Sequence, residues 1–433
     1  MTIEQLYSLY IENPVIATDT RKITSGSIFF ALKGERFDAN AFAHQALDAG
    51  ARCAVVDQAD YAVDDRYILV DDVLKTLQDL ARYHRQQLTI PVIGITGTNG
   101  KTTTKELVYA VLSQRYKTYA TKGNLNNHIG VPLTLLAIDA QVEVAVIEMG
   151  ANHQGEIAFL CEIARPTHGL ITNVGKAHLE GFGSFEGVKK TKGELYDFLK
   201  DQDGVLFLQG DNEHLVAMES FRGIRHVVRY GFSAGNDVVG QLAQADPLLT
   251  VRWKLNQATD YQTVVTHLTG SYNTENILAA VAIGNFLGMD ADSINAGVES
   301  YIPTNNRSQI TQTERNTVIA DYYNANASSM AAALENIAVI ERTHKAIILG
   351  DMFEMGEESW EEHRKLVEQA LRLGVDRTVF VGKAFWAHKQ PAGEFYETTE
   401  AARTGLESRP ITDSTVLLKA SRGMAFELLI DVL

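Results

Sequence analysis

Residues Gly94 to Thr104 read GITGTNGKTTT and follow the apolar run Ile90-Pro91-Val92-Ile93. A buried strand runs into a Gly-rich turn, and a helix (Lys105 to Leu112) begins behind it. That unit constrains the fold more than any other stretch, because alternating strand and helix build a mostly parallel sheet covered on both faces. The turn aims backbone N–H groups at a helix N-terminus, which suits phosphate. The nucleotide-binding set is Gly97, Thr98, Asn99, Gly100, Lys101, Thr102 and Thr103. Lys101 would reach the β/γ-phosphates of ATP, and the Thr102 hydroxyl would ligate Mg²⁺. The general spacing G-x-x-x-x-G-K-[ST] is not strictly met, because Ile95 stands where the first Gly belongs.

A chain of 433 residues is too long for one ordinary core, and length suggests two to four domains. The formal net charge of −15 argues against a nucleic-acid partner, which wants a basic face. A polyanionic substrate must then meet local positive charge from particular Lys and Arg residues. Cys53 and Cys161 sit in apolar surroundings and make no disulfide framework, which fits a reducing compartment. The start MTIEQLYSLY has acids and no apolar stretch of the signal-peptide kind. No run reaches the roughly 18 apolar residues that span a membrane. A soluble cytoplasmic protein is expected, without membrane insertion and as a monomer.

The fold class expected is α/β in three domains. Residues 1–88 read as a small α/β domain, with apolar runs at Ile28 to Leu32, Ala54 to Val56 and Tyr67 to Val70, and helices at Asn40 to Gly50 and Val73 to Gln86. Residues 89–303 form the central P-loop ATPase-like domain with a parallel sheet. Its strands are expected at Val92–Thr96, Val144–Glu148, Gly169–Val174 and Val205–Leu208. Antiparallel strands are expected from His226 to Leu268, then an amphipathic helix from Glu275 to Leu287. Residues 304–433 restart the alternation as a Rossmann-like domain with no G-x-G-x-x-G fingerprint. Helices are expected there at Ser328–Glu341, Trp360–Leu373 and Met424–Leu429.

Val146-Ile147-Glu148-Met149-Gly150 ends an apolar strand with a carboxylate. Ligands gather at the carboxyl ends of parallel strands. Beside a phosphate loop, Glu148 is placed to bind Mg²⁺, which needs one or two carboxylates. His178, after the strand that ends in Ile171-Thr172-Asn173-Val174, is either a metal ligand or a polar surface histidine. Lys189, Lys190 and Lys192 in GVKKTKGELYDFL read on their own as the solvated basic face of a helix.

TGTNGKTT resembles the nucleotide loop of the Mur ligases and the folylpolyglutamate synthases, enzymes that activate a carboxylate with ATP and join it to an amine. GNLNNHIGVPLTLL and EMGANHQGEI resemble one branch of the Mur ligases, the one that joins D-alanyl-D-alanine to UDP-N-acetylmuramoyl-tripeptide. The resemblance singles out Lys192, because these ligases carry a CO₂-derived carbamylated lysine a few residues before an aromatic position, here Tyr196. It also makes His178 a ligand near the second Mg²⁺. Thr18-Asp19-Thr20-Arg21 and the run Gly26 to Asp38 look like the UDP-binding domain of the family, which implies Asp19, Thr20, Arg21 and Ser27 as substrate contacts. Asn126 and Asn127 are implied in the substrate loop. Asn276, Arg307, Asp321 and Asn324 match nucleotide contacts, and Lys419 and Arg422 match a closing basic motif. Tyr272 departs from the histidine usual at that position, and the Asp-Asn-Pro-Arg motif of another branch is absent.

The resemblance implies catalytic roles for Lys101, Glu148, His178 and Lys192, with Thr102, Glu148, His178 and carbamylated Lys192 as the metal set. It implies ATP-dependent ligation through an acyl phosphate, the last cytoplasmic amino-acid-adding step of peptidoglycan precursor synthesis. Its partners would be UDP-N-acetylmuramoyl-tripeptide and D-Ala-D-Ala. Alternatives are another Mur-type or folylpolyglutamate-type ligase, a P-loop small-molecule kinase, and a nucleotide-sugar binding protein without turnover.

Overall fold

The computed structural model describes residues 1–177 and 179–433, with backbone alone at Leu179. Among the described residues the strands gather into three main sheets and one short hairpin. The first sheet begins with β1 (Ile16–Ala17) and β2 (Ile28–Phe30), and a hairpin of β3 (Lys33–Gly34) and β4 (Phe37–Asp38) follows. It is completed by β5 (Cys53–Val56) and β6 (Tyr67–Leu69), in the all-parallel order β1-β2-β5-β6.

The second sheet uses β7 (Val92–Thr96), β8 (Thr118–Ala120), β9 (Val144–Glu148), β10 (His168–Ile171), β11 (Val205–Gln209), β12 (His226–Gly231), β13 (Val238–Ala245), β14 (Leu249–Leu255) and β15 (Gln262–Val265). Across the sheet they run β15-β14-β13-β12-β11-β10-β7-β9-β8. The antiparallel expectation for His226 to Leu268 holds for β13-β14-β15 only. β12 lies parallel to β11 and to the start of β13. The helix Glu213–Ser220 crosses over between β11 and β12, and a crossover delivers a parallel strand.

The third sheet comprises β16 (Gln309–Gln312), β17 (Thr317–Asp321), β18 (Lys345–Gly350), β19 (Arg377–Val381), β20 (Glu394–Tyr396) and β21 (Thr415–Lys419). Its order is β16-β17-β21-β18-β19-β20, parallel except for the β16–β17 hairpin. The helix expected at Met424–Leu429 is instead two 3₁₀ pieces, Arg422–Met424 and Phe426–Val432. Ala425 between them has φ +53, a left-handed conformation that interrupts any α-helix.

Helix Asn273–Phe286 also differs from its expectation. It is buried without a break from Asn276 to Gly284, so it has no polar face. It lies against the helix Lys101–Leu112 and the strands β12 and β13, and a helix covered on several sides needs no amphipathic pattern.

The first block does not stand apart from the second. Asp72 caps helix Val73–Gln87 by accepting the Lys75 N–H, and Val73, Leu77, Leu80 and Ala81 form its buried stripe. That stripe and Leu6 and Tyr10 of helix Ile3–Glu12 join Val131, Leu135 and Leu160 in one continuous apolar core. Arg85 donates to the carbonyls of Ala164 (2.8 Å) and Arg165 (2.9 Å), and Tyr10 Oη donates to that of Leu136 (2.5 Å). No helix among the described residues is long and apolar enough to cross a membrane.

Candidate functional site

Strand β7 stops at Thr96, and the helix Lys101–Leu112 starts four residues before its expected position. Between them Gly97 (φ +146) and Gly100 (φ +79) hold positive φ. A Cβ on Gly97 would overlap the Thr172 hydroxyl, so glycine is required for closeness as well as conformation. The end of β10 supports the loop from below. Thr98 N–H donates to the Asn173 carbonyl (3.0 Å) and Asn99 N–H to Asn173 Oδ1 (2.9 Å). Thr172 Oγ1 donates to the Asn99 carbonyl (2.5 Å).

Lys101 Nζ curls back onto its own loop, donating to the carbonyls of Gly97 (2.7 Å) and Thr98 (3.0 Å). Desolvation lowers its pKa to about 8, against the pull of Glu148 and with some help from Arg307. Glu148 sits at the end of β9 on the neighbouring strand. Its Oε1 accepts from Asn126 Nδ2 (2.8 Å) and Thr102 Oγ1 (3.2 Å). Its Oε2 is buried and has no hydrogen-bond partner. An orphaned carboxylate oxygen beside a hydroxyl and a phosphate loop is the donor set a hard divalent cation takes. Among the described residues no cluster of three or more His, Cys, Asp and Glu residues stands ready for a metal. His178 lies outside the described residues.

A cavity of about 570 Å³ opens over this loop. Its walls include residues 98–103, Asn126, Asn127, Glu148 and Asn276 from the second sheet's side. From the third sheet's side come Arg307, Asp321, Asn324 and Lys419. Asp321 and Lys419 are register partners on β17 and β21, and their side chains pair at 2.6 Å. Arg307 stacks on the Tyr323 ring at 3.9 Å, with its Nε buried and unpartnered. Arg422 approaches the same ring at 5.4 Å but does not line the cavity. Asn276 Oδ1 accepts from Thr104 Oγ1 (3.0 Å), which ties it to the loop helix. Asn324 Oδ1 accepts the Ala325 N–H (3.0 Å). Tyr272 reaches Ser308 Oγ at 2.8 Å, and burial raises its pKa.

Lys192 is not on a solvated face. It lies in helix Phe185–Asp201, 2% exposed, with Nζ 5.3 Å from the centre of the Phe182 ring. Among the described residues none hydrogen-bonds to that amine. Desolvation first, and then Lys101, hold its pKa well below the ordinary lysine value. Lys190 is exposed, and Lys189 pairs with Glu186 at 2.5 Å, so the surface reading fits those two alone.

Asp19, Thr20, Arg21 and Ser27 are not brought to this cavity. Asp19 caps the turn Thr20–Lys22 and pairs with Arg21 at 2.7 Å on the surface. Ser27 is fully buried with its hydroxyl unpartnered. Sequence reasoning missed a polar knot at the carboxyl ends of β2 and β5. There Asn40 Nδ2 donates to Asp38 (2.7 Å) and Asp57 (2.8 Å), and Lys33 pairs with Asp57 (2.8 Å). The available signal was Asp57-Gln58 directly behind the apolar run Cys53–Val56. It also missed Ser328, at the start of a helix behind β17.

A phosphate loop and an acidic strand end, facing a third α/β module across one polar cavity, make up the site of an ATP-dependent ligase. Three family models match the chain. Mur ligase family, catalytic domain, covers residues 14–85; Mur ligase middle domain covers 95–284; Mur ligase, glutamate ligase domain, covers 306–425. The UDP-N-acetylmuramoyl-tripeptide--D-alanyl-D-alanine ligase of Escherichia coli K12 is 38% identical over 95% of this chain and 92% of its own length. A crystal structure of MurF from Acinetobacter baumannii superposes with a TM-score of 0.87 at 32% identity, covering 96% of this chain and 92% of that one. A structure of MurF ligase from Thermotoga maritima in complex with ADP gives 0.86 at 27% identity, covering 96% of each chain. The chain belongs to the Mur ligase family.

Proposed function

We propose that this chain joins D-alanyl-D-alanine to UDP-N-acetylmuramoyl-tripeptide at the expense of ATP, in the cytoplasm and as a monomer. It would be the last amino-acid-adding step of peptidoglycan precursor synthesis before the membrane. The observation that carries the reading is the shared cavity, in which Lys101 and Glu148 of one module face Arg307, Asp321 and Lys419 of another. The relative of 38% identity, named for that reaction and covered over nearly its whole length, supports the choice of substrates.

The proposed division is residues 1–88 for the UDP end, 89–303 for ATP, and 304–433 for the D-Ala-D-Ala side and closure over ATP. The UDP end would be met by Asp19, Thr20, Arg21 and Ser27. The loop of residues 97–103, the Asn99 side chain aside, would cradle the phosphates, with Asn276, Arg307, Asp321 and Asn324 around the nucleoside. Asn126, Asn127, Lys419 and Arg422 would contact the substrates. A magnesium ion held by Glu148 and Thr102, with His178, would neutralise phosphate charge. The tripeptide carboxylate attacks the γ-phosphorus of ATP, and ADP departs. Lys101 disperses the charge on the phosphoryl oxygens. The dipeptide amine then attacks the acyl carbon, phosphate leaves, and the amine proton goes to solvent. A closed third module keeps water from the acyl phosphate.

The test is phosphate release with the UDP-muramoyl tripeptide, with and without D-Ala-D-Ala, and with a diamino acid in its place. Release is expected only with both the tripeptide and D-Ala-D-Ala, matched by one amide per phosphate. Ligation of the diamino acid instead, or a phosphorylated product without ligation, would overturn the reading.

A pH dependence also follows. In the free enzyme Lys101 has a pKa lowered to about 8, and its charged form is the one that attracts phosphate. kcat/KM for ATP is therefore expected to fall as pH rises through about 8, since this parameter reports the free enzyme. A flat profile from pH 7 to 10 would remove Lys101 from phosphate recognition.

A further inference from the structure

We propose that Asn99, inside the phosphate loop, is a closure latch whose side chain is committed to the third module and not to the nucleotide. The inference rests on the ligase reading above. Asn99 Nδ2 donates to Ser328 Oγ (2.8 Å), and Asn99 Oδ1 accepts from Asn326 Nδ2 (2.8 Å). Ser328 Oγ in turn donates to Asn326 Oδ1 (2.9 Å). The three side chains form a closed ring of hydrogen bonds across residues more than two hundred positions apart. Both side-chain atoms of Asn99 are used in it, and its backbone N–H and carbonyl are already held by Asn173 and Thr172. Every polar atom of Asn99 thus has a protein partner, with one Nδ2 hydrogen and one Oδ1 lone pair uncommitted.

The far side of the ring is not a casual surface. Asn326 is the N-cap of helix Ala327–Val339, accepting the Ser329 N–H (2.9 Å), and is 7% exposed. That helix follows β17, whose end carries Asp321 in the cavity. Among the described residues the other polar links between the modules, Tyr272 to Ser308 and Arg342 to Asp246 among them, touch no nucleotide-loop residue. Lys176 pairs with Glu358 on the surface (2.9 Å), and Asn336 Nδ2 donates to Thr269 Oγ1 (3.2 Å). Among the described residues, this ring is the hydrogen-bonded link that ties the position of the third module to the loop that holds phosphate.

Asn99 is thus a positioning residue. When the third module sits down, Asn326 and Ser328 fix the Asn99 side chain, and the loop is braced from above as well as from β10 below. When the module lifts, Asn99 loses both partners at once. The loop then holds phosphate without the lid that excludes water, and an acyl phosphate formed in that state is open to hydrolysis.

The experiment compares wild type, Asn99→Ala, Ser328→Ala and the double variant, with ATP, UDP-muramoyl tripeptide and D-Ala-D-Ala. Phosphate and amide product are both counted. Asn99→Ala is expected to lower kcat about tenfold, roughly 1.4 kcal/mol, and to leave KM for ATP within about twofold. Phosphate released per amide should rise above one, which a merely structural residue would not change. Ser328→Ala should move both quantities the same way, and the double variant should be no worse than Asn99→Ala, as partners in one network behave. A raised KM for ATP with kcat and stoichiometry intact would make Asn99 a nucleotide ligand and overturn the latch. Unchanged kinetics in the variants would overturn it as well. If Asn99→Ala does not fold, Ser328→Ala decides alone, by whether kcat and the phosphate-to-amide ratio move. A wild-type enzyme that makes no amide would overturn the ligase reading and the latch with it, whereas a ligating wild type with indifferent variants removes the latch only.

Discussion

Lys101→Ala is expected to lower kcat by about a hundredfold or more while leaving the melting temperature close to that of the wild type. The fold should tolerate the change because the Lys101 ammonium bonds only to carbonyls of its own loop, at Gly97 and Thr98. The reaction should not, because no described cation other than Lys101 sits within the phosphate loop. Removing one preorganised donor to a developing oxyanion typically costs about 2.7–4 kcal/mol. Lys101→Arg should rescue little, since a planar guanidinium does not fit the turn made by an ammonium that folds back onto two carbonyls. Steady-state amide formation and a thermal melt on the same sample provide the check. A variant that keeps more than about a tenth of wild-type kcat, a loss under roughly 1.4 kcal/mol, would sink the assignment of Lys101.

Lys192→Ala is expected to be as damaging, for a different reason. The proposed active form of Lys192 is a carbamate. The neutral amine attacks CO₂, an N–C bond forms, and a proton is released, so the side chain changes from cation to anion. A buried ammonium with no acceptor among the described residues is costly, and the site accordingly depresses its pKa. The neutral amine that CO₂ requires is therefore accessible. The carboxylate so formed would attract Lys101 where the ammonium repels it, and with Glu148 would supply oxygen ligands of the kind magnesium takes. Lys192→Arg should stay inactive, because arginine keeps its charge and forms no such carbamate. Acetate is expected to restore part of the activity of Lys192→Ala and none of that of Lys192→Arg. ¹³C NMR after ¹³CO₂ labelling reads the carbamate directly. Full activity of the wild type in CO₂-free buffer, with no labelled signal, would return Lys192 to a structural role.

Legibility differed between the parts of this protein in a physically sensible way. The strands of the parallel sheets were readable because strands buried on both faces are nearly continuous apolar runs, and β7 and β9 fall within the boundaries expected of them. Helix Val73–Gln87 was located to within one residue of its expected end. Helix Asn273–Phe286 was located but its environment was misread, because its neighbours on either side are remote in sequence. The strand direction at β12 and the 3₁₀ ending of the chain were also decided by long-range packing and one left-handed residue.

The same division runs through the site. Gly97, Gly100, Lys101 and Thr102 are local: the spacing of a few residues fixes a turn, a helix start and the direction of its N–H groups. Glu148 needed only the rule that ligands collect at strand ends. By itself, then, the sequence determined a phosphate loop, an acidic strand end and the family to which they belong. The tertiary structure alone decided that Lys192 is buried and feels the charge of Lys101, and that one Glu148 oxygen is left without a partner. It also decided that Asn99 is held by Asn326 and Ser328. Those facts depend on burial and on contacts between segments far apart in the chain, and no local pattern encodes desolvation or a partner more than two hundred residues away.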